Sequence, residues 1–365
     1  MELTSGIIGA MGGFAGGMLL GFAARWGRFC TLGAIEDAAL GGNRGRLSAW
    51  GLAIAIAITG TFLLDQTGLI DISRSFYLIS PTTLLATVFG STLFGLGMSL
   101  VGTCGYGTLA RVGGGDLKSV VTFLVLGITA YATMNGLSAY LRIFLFDVPV
   151  ELDTPASFAY LGKDLFGGSI HLWAYAIATV IAFIALTSRD LRSSRRYLVA
   201  GLAVGMAIVS GWFVTGYLAN DDFDPHRLES FTFTGPPGDT LVYVMTATGS
   251  SLQFGIGAVA GVIFGSTVTT LCQGYFRWEA CDDAREMRRQ ILGGALMGFG
   301  GVTALGCTVG QGLSAASTLA FTAPVALASM FIGAWLGLQV LIRGSLRDVW
   351  EQFKEAVQQH TPQSK

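Results

Sequence analysis

Five thiols hold most of the reactive chemistry in this 365-residue chain: Cys30, Cys104, Cys272, Cys281 and Cys307. Cys30, Cys104 and Cys307 are far apart in sequence. Each sits at the edge of an apolar stretch beside small residues, in GRFCTLGA, GTCGYGTLARVGGG and GCTVGQG. A zinc site needs Cys and His ligands in a tetrahedral set. There is no CxxC, Cys272 and Cys281 are nine apart, and the histidines are His171, His226 and His360, near span ends or in the tail. Neither metal nor cofactor is expected. An odd number of scattered thiols is no disulfide framework, and a nucleophilic cysteine needs a base beside it, which the neighbouring sequence does not offer. What remains is a soft, weakly donating S–H that can line a passage for a sulfur-bearing solute. The competing reading is that each cysteine is a small buried hydrophobe; for Cys272 and Cys281 nothing in the sequence argues against it.

The elements that must position these thiols are membrane helices. Apolar residues make up 52% of the chain and charged residues 12%, against about 25% charged in soluble domains, and mean hydropathy is +0.60. The fold class is all-α and polytopic. Nine spans are expected, near residues 6–24, 47–64, 82–103, 119–141, 170–187, 197–218, 244–271, 291–313 and 321–342, each close to the roughly 20 residues a bilayer core requires. The opening MELTSG has no basic residue, so the first apolar run reads as a span and not as a cleavable signal peptide. With the N-terminus outside, 18 Lys and Arg fall on inner segments and only Arg74, Arg142, Lys163 and Arg227 on outer ones. The outer loops are acidic, with Asp147, Glu151, Asp153, Asp164 and the run DDFDPHRLES. The positive-inside rule therefore places the N-terminus in the periplasm and the C-terminus in the cytoplasm. A net charge of -1 gives no reason to expect nucleic acid as a partner.

Glycine is abundant, at 52 residues. Small residues let membrane helices approach closely, which accounts for most of them. Around the cysteines glycine does something else, because GTCGYGTLARVGGG should interrupt a helix. Interrupted backbone at membrane depth is tolerated where it is buried in protein or lines a cavity. The same pattern recurs 203 residues later: Gly90, Leu93, Gly95, Gly97, Cys104 and Gly107 align with Gly293, Leu296, Gly298, Gly300, Cys307 and Gly310. A weaker pairing sets FCTLGAIEDA against YFRWEACDDA, bringing Ala34, Asp37 and Ala38 onto Ala280, Asp283 and Ala284. Two halves are expected, 1–190 and 191–345, followed by a cytoplasmic tail, 346–365. Matching interruptions in two halves point to a transporter site, with the repeat either inverted or parallel.

GRFC, GTCGYGTLAR, FRWEA and GCTVGQGLS resemble the YeeE/YedE sulfur-transport family, bacterial inner-membrane proteins that import thiosulfate, along nearly the whole chain. The resemblance implies an hourglass with a central constriction crossed by short re-entrant helices. It implies that Cys30, Cys104 and Cys307 line the path and hand thiosulfate along by S–H···S contacts. It also implies a small cytoplasmic sulfur-carrier protein as a partner; related members are linked to other sulfur or selenium species.

A dianion moved into a dry interior loses solvation on the order of tens of kcal/mol. Thiols cannot offset that, so backbone N–H groups at short-helix N-termini must contribute, with Gly105, Gly107, Gly306 and Gly310 letting backbone approach the ion. Arg28 and Arg111 could add charge at the inner mouth, or act only as positive-inside anchors. RVGGGDLKS lacks the spacing of a phosphate-binding loop, which disfavours ATP-driven transport within this chain. The alternatives are a membrane sulfurtransferase carrying a persulfide on cysteine and a structural membrane protein whose cysteines only pack.

Overall fold

The computed structural model describes residues 2–39, 41–79, 84–146, 155–220, 227–281 and 283–343. They form helices and no strands. The first series is α1 (Glu2–Arg25), a short α2 (Thr31–Ala39), α3 (Gly45–Gln66), a one-turn α4 (Phe76–Ile79), α5 (Leu84–Val101), a short α6 (Gly105–Gly113) and α7 (Leu117–Asn135). Four linking helices follow: α8 (Leu137–Phe146), α9 (Phe158–Phe166), α10 (Ile170–Thr187) and α11 (Arg189–Ser193). The second series is α12 (Arg195–Phe213), continued by a π-helical turn at Val214–Leu218, then α13 (Gly235–Thr246), α14 (Phe254–Cys272), α15 (Ala284–Thr303), a π-helical segment at Gly310–Ala315 and α16 (Thr322–Arg343).

Among the described residues eight helical stretches are long and apolar enough to cross a membrane. α15 is a ninth long helix, of 20 residues, but it opens AREMRRQ and is too polar at that end to qualify by composition. Three expected spans differ in extent. The stretch 119–141 ends at Asn135, and after the break at Gly136 the chain continues as the separate α8. The stretch 244–271 is divided between α13 and α14 by the segment 247–253, and 291–313 stops at Thr303, leaving Gly310–Ala315 as a separate short element. In each case glycine and small residues interrupt an apolar run that hydropathy alone reads as continuous. The tail 346–365 lies outside the described residues, as do Asp147, Glu151, Asp153, His226, His360, Arg347, Lys354, Lys365 and most of DDFDPHRLES.

Glycine contacts fix the helix directions. Gly27 lies against Ala200, Gly16 against Ser210 and Gly12 against Val214, so α1 and α12 run antiparallel. Gly90 meets Gly300 while Gly97 meets Gly293, so α5 and α15 are antiparallel too. α1 is instead parallel to α14, with Gly13 on Phe254, Gly17 on Ala258 and Gly21 on Val262. α3 is parallel to α12, with Gly201 on Ala49 and Gly205 on Ala53. The order long, short, long, long, short, long in α1–α3 and α5–α7 thus recurs from α12 to α16 with the matched long helices reversed. The repeat is inverted. Helices cross-pair between halves, α1 with α14 and α12 with α3, α5 with α16 and α15 with α7. The core between them is built on Trp212, Tyr106, Phe94, Phe231 and Phe233, all fully buried. Large apolar side chains such as Met11, Leu172 and Phe183 face outward, as a bilayer requires.

This arrangement corrects the weaker pairing of FCTLGAIEDA with YFRWEACDDA. The helix that follows Cys30 is α2, and its counterpart is α13, which follows Thr234. Residues 275–284 instead connect α14 to α15 and dock on the turn before α7, where Leu117 N–H donates to the Glu279 carbonyl at 3.0 Å. Two segments on one side of an inverted repeat cannot be mates.

Candidate functional site

The two Cys motifs are built alike. α5 ends on Gly102, in the left-handed region at φ 79°, and Gly102 N–H closes the helix onto the Met98 carbonyl at 2.9 Å. α15 ends 203 residues later on Leu305, at φ 57°. There Leu305 N–H bonds the Val302 carbonyl and Gly306 N–H the Gly301 carbonyl, at 3.0 and 2.8 Å, a Schellman closure. A leucine in that conformation costs about 1–2 kcal/mol, so the turn is kept against its local preference. The expected interruption of GTCGYGTLARVGGG falls at residues 102–104 and again at Gly114 and Gly115, where Gly115 takes φ 95°. Between them Gly105–Gly113 is helical.

Cys104 caps α6 with extended backbone (φ -84°, ψ 176°), and its thiol makes no capping hydrogen bond to the helix. The thiol is fully buried, and faces Cys30, Cys307, the Thr308 hydroxyl and the Gly107 N–H. Thr31 approaches it from α2, with Oγ1 4.0 Å from the sulfur. Cys307 is fully buried as well. Its sulfur accepts from the Phe233 N–H at 3.2 Å and lies 3.5 Å from the Gly310 N. Cys30 is half-buried at the start of α2, where its carbonyl accepts from the Ala34 N–H. The fold thus brings together three thiols that stand 74 to 277 residues apart in sequence. Cys272 is exposed at the end of α14, and the half-buried Cys281 donates to the Asp283 carbonyl at 3.2 Å, in the α14–α15 connection.

The expected glycines fare unevenly. Gly306 lines a cavity of about 650 Å³ that opens beside Ser5, Asn135 and Gln253. Gly310 is approached by the Thr232 and Tyr77 hydroxyls. Gly105 and Gly107 have ordinary helical backbone, and the positive φ in this motif falls on Gly102 and Gly115. Gly105 abuts the Phe233 carbonyl and Gly107 the Thr103 hydroxyl, so close packing explains both positions. Arg111 does not point free charge at a mouth either. Its guanidinium donates to the Gly102 and Val101 carbonyls at 2.7 and 3.4 Å, tying the end of α5 to α6. Arg28 is exposed, at φ 52°.

Sequence reasoning missed two features. Arg46, on the first turn of α3, passes over Gly33 beside Cys30 and pairs with Asp37 at 3.2 Å. Thr234, the residue before α13, takes the place that Cys30 takes before α2, and it borders the cavity with Gly306. The 203-residue offset applied to Cys30 lands on Phe233, one residue short of it.

An inverted pair of helical repeats, with interrupted helices whose N-termini meet at buried thiols, defines a membrane transport protein. The chain belongs to the sulphur-transport family, which it matches over residues 26–336. It is similar to the thiosulfate transporter TsuA of Escherichia coli (strain K12), 24% identical over 347 residues, covering 89% of this chain and 92% of that protein. It is also similar to the thiosulfate transporter TsuA of Spirochaeta thermophila, 26% identical over 338 residues, covering 90% and 97%.

Proposed function

We propose that this protein imports thiosulfate across the bacterial inner membrane through a path between its two halves, 1–190 and 191–345. The observation that carries the reading is the convergence of Cys30, Cys104 and Cys307 at the starts of short helices. Helix N-termini offer unpaired N–H groups and the positive end of the dipole to an anion, and thiols offer weak contacts to its terminal sulfur. With the N-terminus periplasmic, the ion enters the cavity at Gly306 and Thr234, passes Cys307 and then Cys104, and leaves past Cys30 and Arg46. Several weak sites in series suit conduction, since each must release what it binds. Gly306 and Gly310 are the glycines next to the ion; Gly105 and Gly107 keep α6 seated. A small cytoplasmic sulfur-carrier protein receives sulfur at the exit.

Growth of a sulfate-transport-deficient bacterium on thiosulfate as sole sulfur source, with and without this gene, tests the reading. Gene-dependent growth that is lost in Cys104→Ala is the expected result. Growth equal in the presence and absence of the gene overturns it.

A further inference from the structure

Most buried threonines in this protein spend their hydroxyls on their own helix: Thr108 bonds the Cys104 carbonyl, Thr215 that of Gly211 and Thr303 that of Phe299. Thr61, Thr234 and Thr308 do not. Thr234 and Thr308 are both fully buried, 2% and 0% exposed; the Thr234 Oγ1 has no hydrogen-bond partner among the described residues, and the Thr308 Oγ1 has only the soft Cys104 sulfur to face. Native interiors rarely leave such groups unpaired, and an orphan calls for an explanation such as a ligand or an ion.

Thr61 lies within α3, whereas Thr234 and Thr308 stand next to the thiols. Thr308 directly follows Cys307, and its hydroxyl faces the Cys104 thiol. Thr234 directly follows Phe233, whose N–H holds the Cys307 sulfur. It borders the 650 Å³ cavity, and its methyl and hydroxyl both pack against Gly301, where a Cβ would collide with them. Thr234 is also the cap position of α13, yet its side chain makes no capping bond, and the next residues but one, Pro236 and Pro237, have no N–H to offer. The hydroxyl is thus spared from every local use that a threonine at a helix start normally has.

We propose that Thr234 and Thr308 bind the oxygen atoms of the transported ion while the neighbouring thiols meet its sulfur. This rests on the reading of the path as one for thiosulfate, whose two ends differ: one sulfur carries three oxygens and the other is terminal. Oxygens accept well from hydroxyls, and the polarisable terminal sulfur is matched by S–H. From the cavity inward, the order Thr234, Cys307, Thr308, Cys104 alternates hydroxyl and thiol. An ion held by its oxygens at one step is held by its sulfur at the next without losing both contacts together. The two threonines are therefore specificity-determining ligands of the path.

The test is uptake of radiolabelled thiosulfate by cells that lack other sulfur importers, with Thr234→Val, Thr308→Val and the corresponding Ser variants at matched protein amount. Valine keeps the shape and removes the hydroxyl. Each Val variant should raise KM about tenfold or more, as expected for the loss of a hydrogen bond to a charged group, while the Ser variants stay near the parent. The thermal midpoint of the purified Val proteins in detergent should hold or rise, because a buried hydroxyl without a strong partner is removed. Parental KM in both Val variants overturns this inference alone. So does a drop in thermal midpoint that accounts for the lost uptake, since the hydroxyls would then be structural. A parent protein that takes up no thiosulfate overturns the import reading as well.

Discussion

At one pair of related positions the two halves carry the same residue, and at the other pair they do not. Cys104 and Cys307 stand 203 residues apart, both buried, both directly after the closure of a long helix. Cys30 and Thr234 stand before α2 and α13, one a half-buried thiol and the other a fully buried hydroxyl. The surroundings diverge with them. Arg46 and Asp37 lie near Cys30. The cavity beside Thr234 is lined by Arg227, Glu229 and Asp239. An inverted repeat makes the middle of a path symmetric by construction, since both halves contribute there equally. Its two ends face different compartments, and there the halves are free to differ.

The largest expected effect tests the symmetric middle. Cys104→Ala should remove most thiosulfate uptake while the thermal midpoint changes by only a few degrees, because a thiol-to-methyl change deletes little buried volume. Cys272→Ala and Cys281→Ala should leave uptake near the parental rate. Equal uptake in Cys104→Ala and parent would reduce the matched pair to packing.

Gly105→Val should act through the fold. A Cβ at Gly105 would sit 2.7 Å from the Phe233 carbonyl oxygen, which is backbone and cannot swing aside. Overpacking of this kind costs about 1–3 kcal/mol. Thermal midpoint and uptake should therefore fall together, and lost uptake at an unchanged midpoint would move Gly105 from packing to the path itself.

A smaller effect tests the asymmetric end. Burial pushes the Glu229 carboxyl up to about 7, Arg227 opposes the shift and Asp239 adds to it. Tyr77 is the further titratable group within range. The folded protein holds this proton more tightly than the unfolded chain does, so stability should fall as pH rises from the ordinary carboxylate range through about 7, and then level off. Uptake should follow the same sign. Above about pH 7 a charged Glu229 repels an entering dianion; below it the neutral acid does not. Glu229→Gln should flatten uptake between about pH 6 and pH 8. An unaltered pH profile in that variant would detach Glu229 from the entry.

The least perturbing test decides which end is which. Ser193 is exposed in α11, within RDLRSSRR. In Ser193→Cys, on a background lacking Cys272, a membrane-impermeant thiol reagent should fail to label intact cells, with uptake unchanged. Labelling in intact cells would reverse the direction of the path and put Cys30 at its entrance.

Some of this was open to reading in the residues alone. Apolar run lengths set the helix count to within the one polar-ended helix, α15, because span length is fixed by the bilayer. The coincidence of Cys104 and Cys307 with flanking glycines exposed the repeat, because identical backbone turns select similar residues. Leu305 shows the limit: it adopts the left-handed turn that glycine supplies at Gly102, and no propensity rule would place a leucine there. Gly105 and Gly107 show another. A glycine in a broken-looking motif can serve a turn or a close approach, and only the Phe233 carbonyl and Thr103 hydroxyl beside them decide it.

The sequence by itself determined that this is a polytopic helical membrane protein with a duplicated Gly-Cys-Gly interruption, because hydropathy, helix period and residue identity are local quantities. Tertiary structure alone decided that the repeat is inverted, that α2 answers to α13, that Arg111 caps a helix end, and that the hydroxyls of Thr234 and Thr308 stand beside the thiols. Those facts depend on which helices run against which, and on what lies within about 4 Å of an atom. Residues separated by 74 to 277 positions in the chain meet there, and nothing short of packing specifies that meeting.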